Sequence, residues 1–270
     1  MKRKYKLNEN IFDTITRDSA YWIGFLYGDG NCTIENKIRL VLSATDYEHL
    51  IKFRAFVGSI ERPIKQFINF RETPACGFEF RSWHMHNTLK KYELTRRKEN
   101  RGRLHQDLVQ DSVIRDFIRG IFDADGCFYY DGLHKNNLFA EITGRTALLK
   151  DIKEALVRAG VISDKKKLVK NGCIKRIRLA KDDTIRLIKF LYADKPRYYL
   201  SRKYGMALSY LERLNDMTQK RSDSPQKYHR PVSEFNKGKK SEYYSRKCFC
   251  EEIAVDHLKE LDNDEPDPAA

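Results

Sequence analysis

Short stretches of strict apolar–polar alternation recur along this chain, separated by stretches with apolar residues three and four apart. Ile34, Ile38, Leu40 and Leu42 are apolar while Lys37, Arg39 and Ser43 interleave, which predicts a half-buried hairpin. Thr45-Asp46-Tyr47-Glu48 has capping-box spacing, and Leu50, Phe53 and Val57 then make one helical face that Gly58 stops. Phe78 and Phe80 alternate with Glu79 and Arg81 in a second hairpin, followed by a helix over about 84–92. The same order then returns. Leu138, Ala140 and Ile142 alternate with Phe139, Glu141 and Thr143 after an Asp131-Gly132 turn signal. Leu149, Ile152 and Leu156 form a helical face stopped by Gly160. Asn171-Gly172 predicts a two-residue turn before Ile177 and Leu179, which alternate with Arg176 and Arg178, and a helix over about 182–192 closes the series. Cys76 and Cys173 hold similar places, 97 residues apart.

An apolar helical run precedes each series. Tyr21-Trp22-Ile23-Gly24-Phe25-Leu26-Tyr27-Gly28-Asp29-Gly30 returns in altered form as Asp116-Phe117-Ile118-Arg119-Gly120-Ile121-Phe122-Asp123-Ala124-Asp125-Gly126. Each half therefore reads α-β-β-α-β-β-α, an α+β fold built from two pseudo-symmetric repeats. The expected organisation is a first repeat over 1–92, a charged, exposed linker over 93–111 and a second repeat over 112–216, closed by a helix over 198–215. A tail over 217–270, basic and then acidic, is expected to be poorly ordered.

Gly24 and Gly28 lie four apart on one face of the first run, as Gly120 and Ala124 do on the second. Small residues at this spacing let two helix backbones approach, so the runs are expected to pack together as the interface between the halves. Gly30 and Gly126 can end the helices in the left-handed conformation. Asp29 and Asp125 would then stand side by side at two helix C-termini. Carboxylates are disfavoured there by the helix dipole and by each other, and a divalent cation relieves both penalties.

Charge adds a partner. The 270 residues carry a formal net charge of +14, with 52 Lys and Arg against 38 Asp and Glu, and a pI near 9.4. Such a balance points to a polyanion, most simply nucleic acid. No apolar run reaches the ~18–20 residues of a membrane span, and the basic start Met1-Lys2-Arg3-Lys4 leads into no signal-peptide core, so an intracellular protein, in cytoplasm or nucleoid, is expected. Six cysteines, of which Cys32, Cys76, Cys127 and Cys173 are scattered singly, agree with a reducing compartment. Cys248 and Cys250 with His257, and His84 with His86, lack a recognised metal-ligand spacing. No Gly-rich phosphate loop or nucleophile elbow is present.

Trp22 to Gly30 and Ile118 to Gly126 resemble the nine-residue signature of the LAGLIDADG homing endonucleases, the second more closely. Both stand at the family's spacing and are followed by the same order of strands and helices, so the resemblance covers about residues 15–215. It implies a single-chain, monomeric, site-specific endonuclease. Two four-stranded sheets would form a saddle on double-stranded DNA, and the cut would fall across the minor groove to leave short 3′ overhangs. It implies that Asp29 and Asp125, with the carbonyls of Gly28 and Ala124, hold Mg²⁺, for which Mn²⁺ can substitute. Asp123 and Tyr27 share an earlier motif position and differ, which argues against chemistry there. Lys98 and Lys203, each following the last helix of its repeat, are similar in placement to the family's active-site lysines. Ser43, and Thr143 or Gly144, fall where the family places polar residues that order water. Lys37, Arg39, Lys65, Arg81, Lys175, Arg176 and Arg178 are the expected DNA contacts from the sheets. Tyr129, Tyr130, Tyr198 and Tyr199 are expected in core or strand rather than against bases. A free-standing enzyme of a mobile element, acting in intron homing, is the expectation; a non-cleaving DNA-binding regulator and a maturase acting on intron RNA are the alternatives.

Overall fold

The computed structural model describes residues 4–33, 35–94, 103–131, 134–172 and 174–222. Two compact units divide the chain, Met1–Glu212 and Arg213–Ala270, and both repeats lie in the first. The first repeat runs α1 (Arg17–Asp29), β1 (Gly30–Cys32), β2 (Lys37–Ser43), α2 (Tyr47–Phe56), β3 (Lys65–Ile68), β4 (Pro74–Arg81), α3 (Trp83–Lys91). The second runs α4 (Ile114–Asp125), β5 (Gly126–Asp131), β6 (His134–Gly144), α5 (Thr146–Arg158), β7 (Val169–Asn171), β8 (Ile174–Leu179), α6 (Asp182–Tyr192), and α7 (Ser201–Ser222) follows. Two antiparallel sheets result, ordered β1-β2-β4-β3 and β5-β6-β8-β7. The α+β repeat legible in the sequence is the architecture observed.

Each sheet buries one face. In β2, Ile38, Leu40 and Leu42 are buried while Arg39 and Ser43 are exposed, and register places them beside Phe80, Phe78 and Cys76 of β4. The first core gathers around Trp22 and Phe53, whose rings are 4.9 Å apart, with Phe78 at 6.0 Å from Phe53. In the second half, Phe122 of α4 meets Phe128 of β5 at 4.6 Å, and Leu138, Ala140, Ile142, Ile177 and Leu179 complete the inner face. α1 is buried at every position from Ser19 to Gly28, as a helix enclosed on all sides must be. Among the described residues no helix is long and apolar enough to cross a membrane.

Several local expectations are corrected. Thr45 caps no helix: Ser43 takes that role by accepting from the Thr45 N–H, and a 3-10 turn over Ala44–Asp46 leads into α2. Asp46 is instead paired with Arg202 at 3.0 Å. The capping box that does form is at α1, between Thr16 and Ser19. Gly30 and Gly126 are extended, not left-handed, because each is the first residue of a strand. They must be glycine for space: a Cβ would lie 2.5 Å from the Leu26 carbonyl oxygen at Gly30 and 2.6 Å from that of Phe122 at Gly126. Gly58 and Gly160, at φ +68°, do end their helices in the left-handed region. The linker is not wholly exposed: Leu104 and Leu108 are buried, and the Leu104 N–H donates to Asp151 at 2.7 Å. The closing helix starts at Ser201, three residues late, and runs to Ser222. Ile34, Lys98, Cys173, Cys248, Cys250, His257 and positions 223–270 lie outside the described residues.

Candidate functional site

α1 and α4 cross with their backbones in contact. A Cβ on Gly24 would fall 2.2 Å from the Phe117 carbonyl oxygen, and one on Gly120 would fall 2.1 Å from that of Tyr21 and 2.7 Å from the Phe25 nitrogen. Further along, a Cβ on Gly28 would fall 2.4 Å from the Ala124 Cβ. Tyr21 thus neighbours Gly120, Phe117 neighbours Gly24, and Gly28 neighbours Ala124, so the helices run parallel and their C-terminal ends coincide. The same hypothetical Cβ on Gly28 is 3.1 Å from Cγ and Oδ2 of Asp125. The Asp125 carboxylate therefore lies against the last turn of the opposite helix, immediately before Asp29. Asp125 is exposed and Asp29 half-buried.

Two carboxylates at the negative ends of two parallel helices make a hard, all-oxygen site. Among the described residues no group of three His, Cys, Asp or Glu could hold a metal ion. Asp29 and Asp125 offer oxygen donors, without the imidazole or thiolate that zinc prefers. This donor set fits a cation that keeps most of its shell as water or phosphate oxygen, as Mg²⁺ does. His84 is no ligand; it pairs with Asp13 at 2.8 Å.

Lys203 reaches this centre from α7. It is buried, and its ammonium donates to the carbonyls of Phe122 at 2.8 Å, Asp123 at 2.7 Å and Gly126 at 2.6 Å. All three protons are thus spent on the turn that carries Asp125, rather than directed outward. Burial pushes the Lys203 amine down to about 8, while Asp123 and Asp29 act in the opposite sense; the ammonium form prevails at neutral pH. Ser43 is engaged at the start of the 3-10 turn, accepting from the Thr45 hydroxyl at 2.9 Å.

The outward sheet faces carry the basic residues. Lys37, Arg39, Lys65 and Arg81 share the outer face of the first sheet, and Arg176 and Arg178 that of the second. Lys175 is the exception: alternation puts it with Ile177 and Leu179 on the opposite face. Composition hid the acidic partners on these faces. Glu79 lies 3.8 Å from Arg39 and 3.9 Å from Lys65, Glu35 2.6 Å from Arg81, and the buried Glu141 3.3 Å from Arg176. The three exposed pairs of the first sheet contribute about 0–1 kcal/mol each and exchange readily for another anion; the Arg176–Glu141 pair is buried and does not belong with them. Tyr129 is a half-buried strand residue of β5, as expected: it stacks on Phe139 at 5.6 Å, and the Arg178 guanidinium lies 4.9 Å from the Phe139 centroid.

Neither a protein-family model nor a curated protein matches the chain. Solved structures do. The homing endonuclease I-WcaI bound to its DNA recognition sequence is similar with a TM-score of 0.50 at 12% identity, over 75% of this chain and 94% of that one. The I-SmaMI LAGLIDADG homing endonuclease bound to cleaved DNA is similar with a TM-score of 0.50 at 14% identity, over 83% and 94%. This chain has the LAGLIDADG homing-endonuclease fold.

Its version of the LAGLIDADG interface contains a buried polar network that sequence reasoning missed. Asp123 accepts from the Tyr21 hydroxyl at 2.8 Å, the Tyr192 hydroxyl at 3.3 Å and the Leu200 N–H at 2.9 Å. It ties both motif helices to the strand of chain that delivers Lys203. Arg119, also buried, donates to the Tyr198 and Leu191 carbonyls and to Asp116. A signal existed: Asp116, Arg119 and Asp123 are charged residues within an otherwise apolar run.

His49 ends the network. Its Nε2 lies 3.0 Å from the Tyr21 oxygen. That hydroxyl already donates to Asp123, so the neutral ring donates to Tyr21 through Nε2. Burial pushes His49 down to about 3. The folded state then binds fewer protons than the unfolded state between pH 3 and 6.5, and stability falls as pH drops through that window. At pH 5 the expected cost is about 2 kcal/mol. Urea unfolding at pH 7 and pH 5 should show this extra loss in the wild type and its absence in His49→Gln; equal losses would remove His49 from the account.

Proposed function

We propose that this protein is a site-specific, metal-dependent DNA endonuclease that makes a double-strand break by phosphodiester hydrolysis, and that it serves as the homing enzyme of a mobile element. The observation that carries the reading is the pair Asp29 and Asp125, brought together at the ends of two helices in backbone contact and flanked by two basic sheet faces. A chain with this fold and no chemistry has no use for two carboxylates set where a phosphate would approach. Both DNA-bound relatives point to the same partner.

Asp29 and Asp125, with the carbonyls of Gly28 and Ala124, would hold Mg²⁺ or Mn²⁺. The cation supplies an activated water and charge stabilisation at the phosphate and leaving oxygen. The protein's own part is positional. Arg39, Lys65 and Arg81 exchange their exposed carboxylate partners for phosphates and base edges, and Arg178, held over the Phe139 ring, and Arg176 add contacts from the second sheet, which fixes the duplex across both sheets. Glu79 and Glu35, freed by that exchange, repel phosphates and can accept from a cytosine amino group, so they add discrimination. Lys203 places positive charge close to the centre by holding the final turn of α4 and with it Asp125; Lys98 would be its counterpart from the first half. One chain contains both halves, so a monomer suffices.

The test is cleavage of the uninterrupted locus that flanks this gene, in Mg²⁺ and in EDTA. A double-strand break in Mg²⁺ alone is expected. Tight binding without cutting, in both Mg²⁺ and Mn²⁺, would sink the nuclease and leave a regulator or a maturase.

A further inference from the structure

A cavity of about 460 Å³ opens between the N-terminal segment and the end of the first sheet. Lys4, Lys6, Lys37, Arg62 and Arg81 line it, together with Tyr5. Glu79 is the carboxylate in that lining, and it is already shared between Arg39 and Lys65. Five cations against one carboxylate make the cavity strongly positive, which favours an anion. Its construction is ordered. The Tyr5 ring lies between two cations, 5.4 Å from the Lys4 ammonium and 5.0 Å from the Arg62 guanidinium. Arg62 is anchored by donating to the Glu79 carbonyl at 3.0 Å, and its buried Nε has no hydrogen-bond partner among the described residues.

Placement decides the ligand. Lys37, Glu79 and Arg81 belong to the outer face of the first sheet, so the cavity opens on the face that carries the other basic residues. A second cavity of about 200 Å³, lined by Tyr5, Arg62, Lys65 and Glu79, continues along it. We propose that Lys4, Lys6 and Arg62, ordered about Tyr5, form a phosphate clamp that grips the backbone of duplex DNA at one flank of the segment lying on the sheets. The proposal rests on the reading of the chain as a DNA nuclease and adds a contact from outside the repeat. A clamp on one flank supplies affinity without base readout and makes the two ends of the bound duplex unequal.

The test is the salt dependence of binding by the full chain to a labelled duplex of mixed sequence. Each phosphate contact contributes about 0.9 to the slope of log affinity against log salt, so Lys4→Gln/Lys6→Gln should flatten it by roughly 2. Lys4→Arg/Lys6→Arg should keep the wild-type slope. Lys150→Gln/Lys189→Gln, exposed lysines on α5 and α6, should keep it too, which separates a local contact from net charge. Both mutated lysines of the clamp are exposed, so folding is not at stake. A wild-type slope in Lys4→Gln/Lys6→Gln overturns the clamp alone, whereas a wild type that binds no duplex at any salt overturns the DNA reading and the clamp with it. Two further results would overturn it: a larger slope change on an RNA hairpin than on the duplex, or protection from thermal unfolding by millimolar pyrophosphate that needs Lys4 and Lys6 while the duplex slope stays put, which marks a small-anion pocket.

Discussion

Gly120→Ala is expected to cost this protein about 3 kcal/mol or more, and Gly120→Val to leave it unfolded. The added Cβ would sit 2.1 Å from the Tyr21 carbonyl oxygen, 2.7 Å from the Phe25 nitrogen and 3.1 Å from the Gly24 carbonyl carbon. All three are backbone atoms of the facing helix, so no side chain can swing away. The helices must part by an ångström or more, and the layers around Trp22, Phe117 and Phe122 open with them. Overpacking against movable side chains costs about 1–3 kcal/mol; against a rigid helix it exceeds that range, and total stabilities run only about 5–15 kcal/mol. Helix propensity acts in the opposite direction, since Gly→Ala within a helix gains up to about 1 kcal/mol. Gly205 of α7 isolates that gain, because nothing lies within 4 Å of the Cβ it lacks. Thermal melts should therefore show Gly205→Ala slightly up and Gly120→Ala far down. Parallel behaviour of the two would mean that α1 and α4 are not in backbone contact.

That contact was legible in the sequence because it depends on missing atoms at a fixed spacing. Gly24, Gly28, Gly120 and Ala124 announce the crossing, and hydrophobic period announced both sheets. Two kinds of feature did not show. The first is any choice between equivalent local partners. Thr45 and Ser43 are both good caps and Ser43 takes the role, while Asp46 pairs with Arg202, which is 156 residues away in sequence. The second is which charges meet. Composition showed a basic protein, but the pairing of Glu79, Glu35 and Glu141 with the very arginines and lysines expected to touch DNA depends on strand register. Lys175 moved to the other face for the same reason, since a strand alternates and one residue changes sides. The sequence places Lys203 after a helix; that its protons go to the turn of Asp125 depends on contacts 77 to 81 residues away in sequence.

Asp125→Asn is expected to reduce cleavage by about a thousandfold, equivalent to ~4 kcal/mol of barrier, while leaving the fold intact. The side chain is exposed, its amide is isosteric with the carboxylate, and the packing around Gly28 is unchanged by the swap. What changes is charge. Without a cation, Asp29 and Asp125 repel an approaching phosphate, so the variant should bind duplex DNA more tightly than the wild type in EDTA. With Ca²⁺, a hard cation of the same charge, the wild type should recover affinity and the variant should gain much less. The order of affinities therefore inverts between the two conditions, and this readout requires no turnover. Asp29→Asn should behave alike if the two halves share the centre, given that both carboxylates end helices in parallel register. Loss of cleavage with the same cation response as the wild type would place Asp125 outside the metal site. Equal DNA affinity for wild type and variant in EDTA would mean that the carboxylate does not face the phosphates at all.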